Sequence, residues 1–375
     1  MDFRRVYDAA LLRLLGWWRT SRWVFAVGGG IALAALIVLL TRPPVTIHPV
    51  PSALDRQLHR MPGTPLVIAF YEPSLDTTPA TNSFASLASH YRDIDVVAPY
   101  WFRIGLGGVL EHDTATPSVA TFAHRHGVKV WPLVGNNGFE MLTTTTSRQN
   151  ATRTLVALAK RGGYDGIFLD WELVPSSQRH NFNLFVSDVA TAFHAMGKAV
   201  AVAVFPKIGV DRQVQGVYDY PVLAHYADAV AVMTYDHHEN SSPPGAVAPL
   251  HWVQANMLYA LQSIPREKLF MGIATYGYDW TAGGASTVTA RDVAGILSRL
   301  GIAASWSGSA QEPHFTYVDA SGARHAVWYE NATTFAQKLA VVKRLSLAGV
   351  AVWRIGGETP GFWQALDSAT GRPAA

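Results

Sequence analysis

A (β/α)8 barrel of the TIM type is the α/β fold this sequence predicts. It carries a small α+β insertion between strands 7 and 8 and one transmembrane helix ahead of the barrel. Three observations lead there. From Leu66 onward, eight apolar runs of strand length alternate with helical stretches. The runs are almost continuously apolar, which means burial on both faces and hence a parallel sheet. The 375 residues accommodate one barrel of about 250 residues with extras. An open doubly wound sheet is the competing architecture, but it wants a Gly-rich turn after the first strand. Here Tyr71 is followed by Glu-Pro-Ser.

The expected strands, in order, are LVIAFYE from Leu66, IDVVAPYWF from Ile94, KVWPLVGN from Lys129 and GIFLDWE from Gly166. AVAVAVFPK from Ala199, AVAVMTYD from Ala229, KLFMGIATYGYDW from Lys268 and GVAVWRIGGE from Gly349 complete the set. Amphipathic periodicity predicts helices over Arg153–Arg161, Gln178–Met196 and Thr334–Ser346. The gap between the last two strands is too long for one helix. Within it Thr289–Leu300 reads as helical, and HFTYVDASGARHAVWYE reads as two strands around Asp319-Ala320-Ser321-Gly322, a hairpin signal. Thr281 to Asn331 (281–331) is therefore the expected insertion, at the catalytic end of a barrel spanning 66–375.

Trp23 to Leu40 is an uncharged stretch of 18 residues flanked by Arg22 and Arg42, near the minimum for a membrane span. Arg4, Arg5, Arg13, Arg19 and Arg22 crowd its N-terminal side, so the positive-inside rule places residues 1–22 in the cytoplasm and the barrel outside, periplasmic or extracellular. A cleaved signal peptide competes with an uncleaved anchor over 23–40. Its small-residue stretch Ala32-Leu33-Ala34 lies inside the apolar run and not after it, which favours the anchor. The Pro-rich segment 41–65 reads as a stiff tether.

Composition excludes several classes. With 49% hydrophobic and 15% charged residues the chain is not disordered. The net charge is only +3, and much of the excess sits in the first 22 residues, so no basic face points to nucleic acid. No Cys is present, which removes disulfides and thiolate metal sites.

The run GYDGIFLDWE, Gly163 to Glu172, carries the chemistry. Side chains alternate along a strand, so Phe168, Asp170 and Glu172 point one way and Ile167, Leu169 and Trp171 the other. Two acids on one face at the C-terminal end of an apolar strand push one pKa upward, the condition for a general acid near neutral pH. The bland counterpart is an acid pair capping a helix or pairing with an Arg.

This run resembles the D-x-x-D-x-D-x-E signature of glycoside hydrolase family 18, the chitinase family. AVMTYD at Ala231–Asp236 is similar to that family's M-x-Y-D, and GVAVWRIGGETPGFW to its eighth strand. YDYPVLAHYADAVAVMTYDHHENSSPPGAVAPLHWV and FTYVDASGARHAVWYEN resemble one branch more closely: the bacterial spore-cortex N-acetylglucosaminidases and the hydrolase-like domains attached to polysaccharide deacetylases. The resemblance covers roughly Leu66 to Trp363. Aligned to the signature, Asp165 is the first acid, Asp170 the third and Glu172 the last. The middle acid, which in the chitinases helps relay charge to the next, is Phe168 here. The resemblance implies that Glu172 protonates the glycosidic oxygen and then activates water. It implies that Asp170 orients the 2-acetamido group as that group attacks C1, that Tyr235 donates a hydrogen bond to it, and that Trp353 floors the sugar site. The implied partner is an N-acetylglucosamine-containing polysaccharide (peptidoglycan, chitin-like or poly-N-acetylglucosamine), with no cofactor.

Other residues are expected near the mouth. Asp236 follows Tyr235 and either couples to the acidic pair or caps a strand end. Met233 shares a face with Tyr235, as Ala351 does with Trp353. Tyr71, Glu72, Tyr100, Trp101, Trp131, Tyr276, Tyr278 and Trp280 lie near predicted C-terminal strand ends, where aromatics stack on sugars; of these Tyr71, Trp101 and Tyr278 are placed in the substrate site, although any single one is more readily core or rim. Asn136 and Asn137 line the site or make a turn. The cluster Asp236-His237-His238-Glu239 lacks metal-ligand spacing, so no metal is expected. Glu330 reads as a loop acid, solvated or leaning toward the cleft. Two classes follow: a membrane-tethered hydrolase, or a non-catalytic barrel that binds glycan or scaffolds a polysaccharide system.

Overall fold

The computed structural model describes residues 64–75 and 82–370, together with Leu54 and Leu58. The segments expected as cytoplasmic tail and membrane anchor lie outside the described residues. Among the described residues no helix is long and apolar enough to cross a membrane. Leu54 and Leu58 fall within the expected tether, yet both are helical and Leu54 is buried in the barrel's inner cluster.

Fifteen strands form two sheets, and the first closes on itself. They run β1 (Leu66–Tyr71), β2 (Val96–Ile104), β3 (Leu110–Asp113), β4 (Lys129–Val130), β5 (Leu133–Asn136), β6 (Gly166–Asp170), β7 (Ala199–Val204) and β8 (Ala229–Val232). Then come β9 (Leu269–Ala274), β10 (Tyr276–Thr281), β11 (Gly284–Thr289), β12 (Ser305–Ser307), β13 (Glu312–Val318), β14 (Arg324–Tyr329) and β15 (Gly349–Trp353). The barrel takes β1, β2, the split strand β4/β5, β6, β7, β8, β9 and β15, all parallel, and β15 returns to β1. Pro132 lacks an N–H and falls in the break between β4 and β5. β3 adds antiparallel to the outer end of β2.

Alternation within the strands sorts the core. In AVAVAV of β7 and AVAV of β8 the Ala side chains point inward and the Val side chains outward against the helices. Small residues on that side leave the barrel interior to Trp131, Leu133, Phe168, Phe270 and Phe70 from the others. The helices that cover the outside include Thr145–Gly162, Arg179–His194 and Ala332–Leu345, as the periodicity predicts. An Asp directly before β2, β6 and β8 closes the lower end. Asp95, Asp165 and Asp228 accept the backbone N–H of Val67, Val130 and Val200 respectively. Asp165, the first acid of the signature, thus ties strands together far from the mouth, with His124 and Lys129 as further partners.

The second sheet, in order β11-β10-β14-β13-β12, is antiparallel. It begins earlier than Thr281: the run KLFMGIATYGYDW is two strands, not one. Thr275 separates them, its N–H donating to the Trp353 carbonyl and its hydroxyl to that of Arg354, which ends β9's ladder and frees β10 to pair elsewhere. The Asp319 turn is a hairpin as expected, its Oδ1 accepting from the N–H of Ser321 and Ala323.

Candidate active site

At the C-terminal ends of the barrel strands a cleft of about 570 Å³ opens. Asp170, Glu172, Met233, Tyr235, Asp236 and Trp353 all line it. Asp170 ends β6. Glu172 lies two residues beyond, where the backbone ladder has stopped. Asn136 continues that ladder with its side chain: Oδ1 accepts from the Glu172 N–H at 2.9 Å, and Nδ2 donates to the Glu172 carbonyl at 3.0 Å. The Tyr218 hydroxyl donates to the Trp171 carbonyl at 2.7 Å, holding the same stretch from behind.

The two carboxyl groups are close enough to share a proton. Burial first, then the Glu172 charge beside it, holds the Asp170 carboxyl well above the usual carboxylate range. Burial also raises Glu172, and the Asp236 charge adds to this, while the hydrogen bond with Asp170 works the other way. Asp170 Oδ1 is buried and accepts no hydrogen bond from the described residues. Phe168, one inward position below, is fully buried and meets Phe70 edge-on at 5.1 Å; Phe70 in turn meets Trp353 at 5.4 Å. An aromatic stack therefore fills the place of the signature's middle acid.

Tyr235 comes from the segment after β8. Burial, with the charges of Asp170, Asp236 and Glu172, pushes its hydroxyl well above the usual phenol range, so it remains a proton donor. Asp236 opens onto the cleft but is packed from behind. Its Oδ1 accepts from the hydroxyls of Tyr276 at 2.6 Å and Tyr278 at 2.9 Å, both on β10. Burial raises this carboxyl and the two tyrosines oppose that rise. The antiparallel sheet thus reaches the mouth through these two rings.

Several expected residues lie elsewhere. Tyr71 and Trp101 are buried in the layer between barrel and helices, because β1 turns Phe70 inward and Tyr71 outward, and a bulge in β2 turns Trp101 outward. Trp131 is inside the barrel, deep in the inner cluster. Tyr278 acts on Asp236 from behind and does not line the cleft. Asn137 turns away to Glu111. Glu330 is neither solvated nor in the cleft. It is buried, bonded to Lys338 and Thr334 beside Glu312. The Asp236–Glu239 side chains diverge: His237 packs on Trp252, the His238 ring meets the Pro243 carbonyl, and Glu239 binds Ser241. Among the described residues no group of three or more His, Asp or Glu converges on a point.

The cleft also holds residues that strand parity did not single out. Phe70, Arg103, Phe139 and Leu173 line it. Leu173 is 75% exposed with φ 54°, a left-handed conformation that costs a non-Gly residue about 1–2 kcal/mol. An exposed apolar side chain held there beside Glu172 is a sequence-visible oddity of ELVP.

A family model for glycosyl hydrolases family 18 matches residues 67–358. The chain belongs to glycosyl hydrolases family 18. It is a glycoside hydrolase. An uncharacterized glycosylase, YvbX, of Bacillus subtilis is 29% identical over 78% of this chain and 90% of its own. The cortical fragment-lytic enzyme of the same organism is 32% identical over 60% of this chain and 54% of that enzyme. The crystal structure of a chitinase from Chromobacterium violaceum superposes with a TM-score of 0.76 at 26% identity, covering 82% of this chain and 100% of that one.

Proposed function

We propose that this family-18 hydrolase cleaves β-linked N-acetylglucosamine-containing glycans by substrate-assisted, retaining catalysis. One observation carries the reading. A paired, raised-pKa Glu172 and an Asp170 with an unused buried oxygen share a cleft with a protonated Tyr235, above the Trp353 ring. Trp353 floors the sugar. Tyr235 donates to the acetamido carbonyl, and Asp170 Oδ1 receives the acetamido N–H, which aims the carbonyl oxygen at C1. As that oxygen bonds to C1, the C1–O bond breaks and Glu172 gives its proton to the leaving oxygen. Asp170 balances the oxazolinium charge. Water then adds to C1 as Glu172 takes its proton, and the ring reopens with the original configuration. Met233 and Asp236 shape the pocket wall.

The names of the relatives, a cortical fragment-lytic enzyme and a chitinase, put peptidoglycan and chitin first among polymers. The Arg asymmetry about Trp23–Leu40 supports a single span with the barrel periplasmic or extracellular. A C-terminal reporter active only in the cytoplasm would overturn that placement.

The test of the chemistry uses the full chain in detergent with peptidoglycan, chitin oligomers and poly-N-acetylglucosamine, read by new reducing ends. Glu172→Gln should lower turnover by about 10²–10⁴-fold while glycan binding persists. A thiazoline analogue of N-acetylglucosamine should inhibit. If wild type and Glu172→Gln bind glycan equally and neither cuts any polymer, a glycan-binding barrel replaces the hydrolase reading. Phe168, standing where the signature has an acid, is the residue that favours that second reading.

A further inference from the structure

We infer that Arg103 selects glycans carrying a carboxylate on a sugar beside the scissile N-acetylglucosamine. The inference rests on the cleavage reading above and adds to it the substrate's charge.

Arg103 is the one cation among the described residues that line the cleft, against three acids: Asp170, Glu172 and Asp236. Its position follows from a local irregularity. Along β2, Tyr100 pairs with Leu133 and Phe102 with Val134, so Trp101 is an extra residue in the ladder. Such a bulge re-aims the side chains that follow it. Tyr100 and Arg103, three apart, both reach the mouth, while Trp101 and Phe102 are fully buried in the outer layer. Arg103 then pairs with Gly135, and Gly135 with Asp170, which sets the three on one level across adjacent strands. At about 4.8 Å per strand, the Arg103 and Asp170 backbones are roughly 10 Å apart. That is the scale of one sugar unit away from the acid pair.

The guanidinium is held but not consumed. Nε donates to the Tyr100 hydroxyl at 2.9 Å, and the group lies 5.1 Å from that ring's centre. Gly135 leaves space for the arrangement, since a Cβ there would stand 2.5 Å from the Tyr100 oxygen. The two terminal nitrogens make no hydrogen bond or ion pair with the described residues, and Arg103 is exposed to the cleft. A planar fork with free parallel N–H groups fits a carboxylate bidentately. A cleft bearing three acids repels an anionic substrate unless such a group offsets them. A lactyl ether, as on N-acetylmuramic acid, and a uronic acid both present this carboxylate.

The experiment compares kcat/KM of the full-length protein on three oligosaccharide classes. These are neutral N-acetylglucosamine oligomers, peptide-free strands alternating with N-acetylmuramic acid, and N-acetylglucosamine oligomers alternating with a uronate. Each acidic class is also assayed after conversion of its carboxylates to amides. Wild type should prefer an acidic class, and amidation should remove that preference. Arg103→Ala should lower the acidic-to-neutral ratio about tenfold or more, with Arg103→Lys intermediate and added salt eroding the ratio only in wild type. The class that loses its preference identifies which carboxylate is read. Equal losses of Arg103→Ala on all classes, or no effect of amidation on wild type, overturn the inference while leaving the hydrolase reading intact. Binding of the same oligosaccharides to Glu172→Gln, with and without Arg103→Ala, reads the same ratio without turnover. It decides the inference even if no polymer is cut and the hydrolase reading falls.

Discussion

Asn136 grips Glu172 by its backbone, one amide oxygen on the Glu172 N–H at 2.9 Å and the amide nitrogen on the Glu172 carbonyl at 3.0 Å. The β5–β6 ladder ends at Gly135 and Asp170, so the Asn side chain supplies the next rung where no backbone remains to do so. Its Nδ2 also donates to the Gly138 carbonyl at 3.1 Å, which anchors the amide itself. Glu172 is thereby fixed without any contact to its carboxyl group.

Asn136→Ala should therefore lower kcat by about tenfold or more, since small displacements of a catalytic group are costly. Stability should fall by about 1–3 kcal/mol, from two backbone groups losing their partners. Steady-state kinetics and denaturant midpoints check both. A variant with normal kcat would show that Glu172 keeps its place unaided.

The Asp170–Glu172 pair makes the site costly to ionise. Both carboxyls are held above their ordinary values, so folding favours their protonated forms. The cost is absent below the unfolded-state values and is fully present once the pH exceeds the folded-state ones. Asp170→Asn should thus melt higher than wild type at neutral pH, by about 2–4 °C for each kcal/mol of relieved repulsion. The gain should vanish toward pH ~4, near the unbound carboxylate range. The same variant should lose turnover. A melting advantage equal at both pH values would remove the pair's charge as its cause.

The barrel was legible because strand composition reports burial directly: β7 and β8 write inward Ala and outward Val into AVAVAV and AVAV. Asp170, Glu172, Met233, Tyr235, Asp236 and Trp353 reach one cleft because simple alternation holds near those strand ends. It fails at two places. In β2 the bulge at Trp101 reverses parity, sending Trp101 outward and bringing Arg103 in, and no residue type announces it. After Ala274 the chain leaves the barrel for a second sheet with its apolar pattern unbroken, so one strand was read where two exist. Asn136 was ambiguous for a different reason. Its role is a hydrogen bond to a strand distant in sequence, which local pattern does not encode.

Phe168 gives a prediction about the signature's missing acid. It is fully buried and edge-on to Phe70, inside the inner cluster. Phe168→Asp restores the acid in sequence only. It removes a large ring, worth about 3–5 kcal/mol, and leaves a buried carboxylate with an aromatic neighbour. Stability should fall by at least that amount, and turnover should not improve. Phe168→Leu should cost less and keep the site. Calorimetry and reducing-end assays decide. If Phe168→Asp folds like wild type and turns over faster, the position is a vacant acid slot and not a packing site.

Lys338 ties the second sheet to the barrel through a buried cluster. It is 2% exposed and bonds Glu330, and Glu330 neighbours Glu312, which is fully buried. Glu312 accepts the N–H of Val247 and Ala248. Burial, then the Glu330 charge, pushes its carboxyl up to about 8. Because the folded value is the higher one, this group costs no stability below its usual range near 4.5; the cost grows as pH rises toward about 8 and then levels. Lys338→Met takes away a cation that favours the ionised acids. The loss should reach about 3–5 kcal/mol at pH ~8 and be smaller at pH ~5, where the cluster takes up protons instead. Melting curves at the two pH values check the sign, and equal losses would mean that the cluster does not titrate. The effect should extend to substrate. Val247 lies at the far end of the loop that starts at Asp236, where the His237 N–H donates to the Val247 carbonyl. Loosening Glu312 loosens the Asp236 wall of the cleft, so KM should rise with pH more steeply in Lys338→Met than in wild type.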